Sequence, residues 1–216
     1  MNLKGGRPEK FGTIAAFFYR LWAEPALSAL HARIAAEVPV DEGRLLDVGC
    51  GPGRLARLVA MSRPGLFVVG LDASPDMIGQ ARRLPNPGNL EFREGAVESA
   101  AFEAGFDHAV TLLSFHHWEE PAAGLDAIHR ALVPGGELWI YEPDSEASNA
   151  EIRRDHEPLW GWLRMPGGIH RRMSRTHGFS LREIDEVVRP VVARTAFGEC
   201  SVERRGSTLR IRMTRR

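Results

Sequence analysis

Between residues 44 and 143 short β-rich runs alternate with runs of helical period, and few folds admit that alternation. "RLLDVG" (44–49) is an apolar strand, "RLARLVAMS" (54–62) has helical spacing, and "LFVVGLD" (66–72) is too short and too β-rich for a helix. "SPDMIGQARR" (74–83) opens on a capping serine with proline at the first helical position. "LEFREG" (90–95) alternates with period two, and "FDHAVTLLSF" (106–115) reads as a buried strand. "EPAAGLDAIHRAL" (120–132) is a helix that "VPGG" stops, and "GELWIYEP" (136–143) is the next strand. Strands that alternate with helices at this spacing form a parallel sheet with helices on both faces, here five strands up to Pro143.

The flanks read differently. Phe11 to Val38 is helical, with apolar residues three or four apart, broken at Pro25 and resumed from Ala26 to Glu37. Ser145 to Ser180 is rich in Arg, Trp, Gly and Pro, with a helix expected near 148–163. "SLREIDEVVRP" (180–190) starts on Ser180, and Glu183 three residues on completes a capping box. The terminal "VVARTAFGECSVERRGSTLRIRMTRR" holds two strands around Arg205-Gly206. Their connection is too short for a parallel crossover, so they form an antiparallel hairpin. At 216 residues and 44% hydrophobic, the chain has material for one good-sized core. The expected organisation is a single domain over 1–216, with an N-terminal helical cap (1–40) and a substrate-cover insertion (145–180).

The first strand ends in "DVGCGPGRLA", which puts Gly49, Gly51 and Gly53 at the carboxyl end of the sheet, where ligands bind in such folds. A phosphate loop would need Gly-Lys-Ser/Thr, and Gly53 is followed by Arg54-Leu55. A nicotinamide or flavin fingerprint would need G-x-G-x-x-G, and Arg54 stands where its third glycine belongs. Two acids frame the loop instead: Asp47 before the glycines, Asp72 at the end of the second strand. Asp72 is placed to accept both hydroxyls of a ribose and Asp47 to face an ammonium group. Together they suit a cationic, phosphate-free nucleoside, S-adenosyl-L-methionine.

"LLDVGCGPGRLA", "VVGLDASPDMI", "FDHAVTLLSFHHWEEP" and "LVPGGELWIYEP" resemble four successive motifs of the class I S-adenosylmethionine-dependent methyltransferases, in order and at fitting spacings. The best match is the small-molecule branch that includes ubiquinone and menaquinone biosynthesis methyltransferases, over roughly residues 40 to 145. The resemblance implies a Rossmann-like, doubly wound α/β sheet of seven strands, mostly parallel, ending in the antiparallel hairpin. It also implies methyl transfer to a small-molecule acceptor by in-line displacement, with S-adenosyl-L-homocysteine as product.

Carried over residue by residue, the resemblance passes Gly49, Cys50, Gly51 and Gly53 under the methionine part of the cofactor, with Asp47 beneath its amino group. Asp72 holds the ribose, and Ala73 and Met77 border the adenine. Many relatives carry Asp after the third strand to take the adenine amino group. This chain has Ala96 there, leaving the backbone of Ala96 and Val97 for the ring. Ser114 falls near the sulfonium. His116 or His117 is a candidate base or substrate orienter, since a near-neutral imidazole suits proton transfer. Both equally serve to end the strand. Glu142, at the end of the fifth strand, is expected at the cleft rim, where it orients an acceptor or simply closes a loop. Many relatives have a Tyr-Asp pair in the first helix, and here Tyr19-Arg20 keeps only the tyrosine.

Phe17, Phe18, Tyr19, Trp22, Trp160 and Trp162 fit a lid over an apolar acceptor. Arg171, Arg172 and Arg175 fit an anionic group on it. The histidines are too scattered for the three or four ligands of zinc, so no metal is expected. With 28 basic and 28 acidic residues the net charge is zero, and no global field draws nucleic acid or anionic membrane. "SFHHW" stands where nucleic-acid methylators of this fold carry an Asn/Asp-Pro-Pro-Tyr/Phe motif. No apolar run reaches the ~18 residues that cross a bilayer, the N-terminus lacks a signal-peptide core, and two distant cysteines fit a reducing compartment. A cytoplasmic enzyme is the expectation. A cofactor-binding module without catalysis and a nucleic-acid or protein methylase stay as alternatives.

Overall fold

The computed structural model describes residues 27–155 and 178–216, apart from Ala101 and Glu103, together with Leu3. Seven strands form one sheet: β1 Gly43–Val48, β2 Leu66–Asp72, β3 Leu90–Glu94, β4 Phe106–Leu112, β5 Leu132–Pro143, β6 Ser201–Arg205 and β7 Thr208–Thr214. Their order is β3-β2-β1-β4-β5-β7-β6. The first five pair in parallel, while β7 runs antiparallel to both β5 and β6. This is the expected mostly parallel, doubly wound sheet with its terminal hairpin. β7 inserts beside β5 and leaves β6, "SVERR", on the edge. Charges on an edge strand discourage pairing with another chain.

Helix α1 Ser28–Glu37 precedes β1, and the helices between strands are α2 Arg54–Ser62, α3 Pro75–Arg83 and α4 Pro121–Ala131. One face of the sheet packs against α1, α2 and α3, through Leu30, Ile34, Leu55, Val59, Ile78 and Ala81. The other packs against Leu125 and Ile128 of α4, with Ile184, Val188 and Val192 of the C-terminal helical segment. A sheet covered on both faces carries near-continuous apolar strands, which is why β2 and β4 read as unbroken hydrophobic runs. α3 begins as its sequence dictates: the Ser74 hydroxyl accepts the Met77 N–H at 3.3 Å, Pro75 follows, and Arg82 and Arg83 close the last turn.

Local chemistry accounts for three departures from the sequence reading. β4 ends at Leu112, not Phe115, because Leu113 adopts a left-handed backbone with φ 54°. β5 begins at Leu132, so "VPGG" joins the sheet instead of forming a separate turn. Gly135 N–H donates to Arg215 O at 2.7 Å, and the β4–β5 register shifts to absorb the extra residues. The C-terminal helix runs past Pro190, through Leu181–Glu183, a π-helical stretch Ile184–Val188, and Arg189–Val192. Proline removes a helical N–H and crowds the carbonyl four residues earlier, and the wider π turn just before it absorbs both effects. The Ser180–Glu183 capping box forms in both directions.

A short helix, α5 Asn149–Asp155, lies in the segment expected to cover the substrate. Asp155 ties it to α1 and the hairpin, taking Arg33 at 3.1 Å and the Ser207 N–H at 2.7 Å. The aromatic cluster at 17–22, Trp160, Trp162 and the arginines at 171–175 lie outside the described residues. The proposed cap and cover are therefore described only at Leu3, 27–40, 145–155 and 178–180.

Candidate active site

Strand order reverses between β1 and β4, and the crevice beyond their carboxyl ends is where an open parallel sheet binds ligand. Asp47, the glycine loop, Asp72, Ala96, Ser114 and Glu142 all fall at or just past the ends of β1 to β5. A pocket open to solvent lies along the glycine loop, lined also by His31, Asp47, Arg54, Leu112 and Leu113.

The glycines are required for different reasons. All three have positive φ: 70° at Gly49, 54° at Gly51 and 81° at Gly53. A Cβ on Gly53 would stand 2.3 Å from the Phe92 ring, so Gly53 serves packing. A Cβ on Gly51 would meet nothing within 4 Å, so there the conformation alone demands glycine and the space beside it stays open. Asp72 holds the loop in place. One carboxylate oxygen accepts the Gly51 N–H at 2.8 Å, and the other accepts the Ser74 N–H at 2.8 Å. Burial pushes the Asp72 carboxyl upward, and those two bonds oppose the shift.

Asp47 is buried in the middle of the sheet, and its Oδ2 has no hydrogen-bond partner. Burial first, and the charge of Asp72 second, push its carboxyl up to about 7, with the Ala56 N–H pulling the other way. Such a group lacks a cation. Arg54, at the start of α2, reaches the same pocket with its own Nε unpartnered. His31 comes from α1. Its Nδ1 donates to the Leu27 carbonyl at 2.7 Å, and burial pushes the imidazole down to about 4, so it is neutral at pH 7. An unpaired carboxylate, an unpaired guanidinium nitrogen and a neutral imidazole around one pocket match a zwitterionic amino-acid tail. The residues present therefore fit the methionine part of S-adenosylmethionine.

The remaining candidates are placed less uniformly. Ala73 is exposed, and Met77 is buried within α3. The Ala96 carbonyl accepts the Ser99 N–H at 3.2 Å, and Val97 opens a 3₁₀ turn, Val97–Ser99, with its side chain in the core. Ser114 abuts the loop: a Cβ on Gly49 would come 1.9 Å from its Oγ, which accepts the Trp118 indole N–H at 3.3 Å. Cys50 is buried at the loop, with its thiol pushed up by burial and by Asp47 and Asp72, so it is no nucleophile. Glu142 corrects its expected place. It is fully buried, not at the cleft rim, and its Oε2 lies 2.6 Å from His116 Nδ1. The rim position followed from Glu142 ending the fifth strand, but β7 pairs along β5 with Leu209 opposite Glu142, and the carboxylate turns inward to His116. His117 is partly exposed, its ring 3.9 Å from that of His116. Tyr19 lies outside the described residues. Among the described residues no group of His, Cys, Asp and Glu is arranged to hold a metal ion.

The sequence reading missed His31 and the strained Leu113, and it took Arg54 only as an obstacle to pyrophosphate. An arginine at the start of a helix, next to a glycine loop, was the available signal for Arg54. His31 sits on a different helix and gave none.

The fold, the glycine loop and its framing acids resemble those of class I S-adenosylmethionine-dependent methyltransferases. Residues 46–140 match the family model described as a methyltransferase domain. Among curated proteins, the ubiquinone biosynthesis O-methyltransferase of Xylella fastidiosa is 36% identical over 111 residues, 50% of this chain and 44% of that protein. The demethylmenaquinone methyltransferase of Chlorobaculum tepidum is 39% identical over 103 residues, 47% of this chain and 41% of that one. The chain thus matches under half the length of these relatives. Among solved structures, a candidate S-adenosyl-L-methionine-dependent methyltransferase of Methanococcus maripaludis superposes with a TM-score of 0.72 at 19% identity, covering 97% of this chain and 95% of that one. The plantazolicin methyltransferase BpumL, solved with a monoazolic desmethylPZN analog and SAH, gives 0.61 at 14%, covering 92% and 84%. At those identities the structures speak for the fold alone.

Proposed function

We propose that this chain transfers the methyl group of S-adenosyl-L-methionine to a small-molecule acceptor and releases S-adenosyl-L-homocysteine. The observation that carries the reading is the buried Asp47 carboxylate, unpartnered at Oδ2 on the floor of the glycine loop. Asp47 takes the ammonium of the methionine tail, and Arg54 its carboxylate. Asp72, already bonded to Gly51 and Ser74, has lone pairs left for the ribose hydroxyls. Ala73 and Met77 border the adenine, the backbone of Ala96 and Val97 bonds its edge, and Ser114 stands near the reacting centre. Tyr19 is a further contact to the tail. When bound, the cofactor supplies an electrophilic methyl group on a sulfonium. The protein's part is to align the acceptor and exclude water. The relatives named for ubiquinone and menaquinone synthesis favour a small, apolar or anionic acceptor. Two free cysteines, Cys50 and Cys200, favour a reducing cytoplasm. Among the described residues no helix is long and apolar enough to cross a membrane.

The test is calorimetric titration with S-adenosylmethionine, S-adenosylhomocysteine and NAD in parallel. Binding of the first two and not the third is expected. Binding of NAD alone overturns the reading.

A further inference from the structure

We infer that His31 is a specificity-determining residue of the cofactor pocket: its Nε2 accepts a hydrogen bond from the ammonium of the methionine tail, so that α1 and β1 hold that group together. The inference rests on the methyl-transfer reading above and adds a contact from an element outside the glycine loop.

One bond fixes the chemistry of the ring. A carbonyl oxygen accepts and never donates, so His31 Nδ1, 2.7 Å from Leu27 O, carries the ring proton. A neutral imidazole has a single N–H, and Nε2 is left with its lone pair. Burial, opposed by the bond to Leu27 and reinforced by the charge of Arg54, holds the imidazole down at about 4, so it stays neutral. With Nδ1 turned back to its own helix, Nε2 is the polar edge the ring has left for the pocket it lines. Among the described residues Nε2 has no hydrogen-bond partner.

The donor and acceptor roles then sort the tail. Arg54 only donates, which suits the carboxylate. Asp47 only accepts, which suits the ammonium. His31 has spent its proton on Leu27 and can only accept, so it cannot serve the carboxylate and falls to the ammonium. An ammonium has three N–H bonds, enough for Asp47 and His31 together. A neutral second acceptor also avoids a further charge conflict: a second acid there would repel Asp47, which burial and Asp72 already push up to about 7. The imidazole is held ready. Leu30 and Ile34 fix α1 in the core, Glu37 accepts the Tyr141 hydroxyl at 2.8 Å, and Arg33 Nε donates to Asp155 at 3.1 Å. Little ordering of His31 is left for binding to supply. A tail without its amino group leaves both acceptors unpaired, which is how a polar pocket rejects an analogue.

The experiment is calorimetry with S-adenosylhomocysteine and with its desamino analogue, in which hydrogen replaces the α-amino group. His31→Phe keeps a ring and removes the acceptor. It is expected to lower S-adenosylhomocysteine affinity about 10- to 100-fold, the worth of a hydrogen bond to a charged group, and to leave that of the analogue within about twofold. His31→Gln, whose side-chain oxygen again offers an acceptor, is expected to recover part of the loss. An equal loss for both ligands marks a packing role and overturns the inference, as does unchanged S-adenosylhomocysteine affinity. Nitrogen-15 spectra of the histidine-labelled wild type decide even if His31→Phe does not fold. Nε2 of His31 is expected to be unprotonated, and its resonance to move with S-adenosylhomocysteine far more than with the analogue; a protonated or unresponsive Nε2 overturns the inference. A wild type that binds no S-adenosylhomocysteine fails the methyl-transfer reading itself, whereas tight binding indifferent to His31 fails this inference alone.

Discussion

Two acids at the head of the site have opposite relations to stability. Asp72 works for the fold and for the ligand, because its oxygens already hold the Gly51 and Ser74 N–H groups. Asp72→Ala is expected to lower S-adenosylhomocysteine affinity by about 10- to 100-fold or more, at roughly 1.5–3 kcal/mol for a hydrogen bond to a charged group. It should also lower the melting temperature of the ligand-free chain. Asp47 works for the ligand against the fold, being a buried carboxyl with an unpartnered oxygen. Asp47→Asn is expected to leave the ligand-free chain as stable or more so in urea, and to weaken binding more than tenfold by calorimetry. Ala96→Asp restores a side-chain acceptor for an adenine amino group. It should tighten binding by about tenfold or less, the worth of one hydrogen bond of ~0.5–1.5 kcal/mol. Unchanged affinity would show that the loop presents position 96 elsewhere.

Elements fail in ways their contacts foretell. Gly51 and Gly53 stand in one loop with similar backbones, but only Gly53 is packed, against Phe92 of β3. Gly53→Ala adds a steric clash to the cost of a left-handed alanine, about 1–2 kcal/mol for the conformation alone. It should unfold at clearly lower urea than Gly51→Ala. Gly51→Ala places its methyl in the open space beside the loop, so its damage should appear in cofactor binding. Much at this scale was legible in the sequence. Glycine spacing, the Ser74 and Ser180 caps and the helical period of α2 act within a few residues of themselves, so a local reading finds them. Leu113 was not legible: nothing in "TLLSF" marks a left-handed leucine, and the conformation arises from leaving β4 while still donating to the Tyr141 carbonyl at 2.8 Å.

Across the whole molecule, buried titrating groups oppose one another. Asp47 has a native value of about 7, against 3.8 for an unperturbed Asp. The native state therefore keeps a proton the unfolded chain has released, and stability falls as pH rises between those values. His31 and His108, pushed down by burial to about 4 from 6.5, do the reverse and lose stability as pH falls through that range. Below pH 6.5 the slopes oppose. From 6.5 to about 7.5 they still oppose, because the histidines of the unfolded chain keep titrating there, so the carboxyl share is read in urea unfolding of the ligand-free protein as the difference between wild type and Asp47→Asn, no more than about 1 kcal/mol across that span. Relative to wild type, Asp47→Asn should gain that difference as pH rises, and saturating S-adenosylhomocysteine, by supplying an ammonium, should suppress the wild type's carboxyl share.

The alternating runs, the glycine loop and its framing acids determined by themselves that this chain forms a mostly parallel α/β sheet with a glycine loop between two acids at its carboxyl end. Those are matters of periodicity, caps and backbone sterics, which act between near neighbours. Only the tertiary structure decided that β7 slides in beside β5, that Glu142 is buried against His116 and not exposed at a rim, and that His31 of α1 joins Asp47 and Arg54 in one pocket. Those partners are far apart in the chain, and strand pairing and burial, not any local pattern, bring them together.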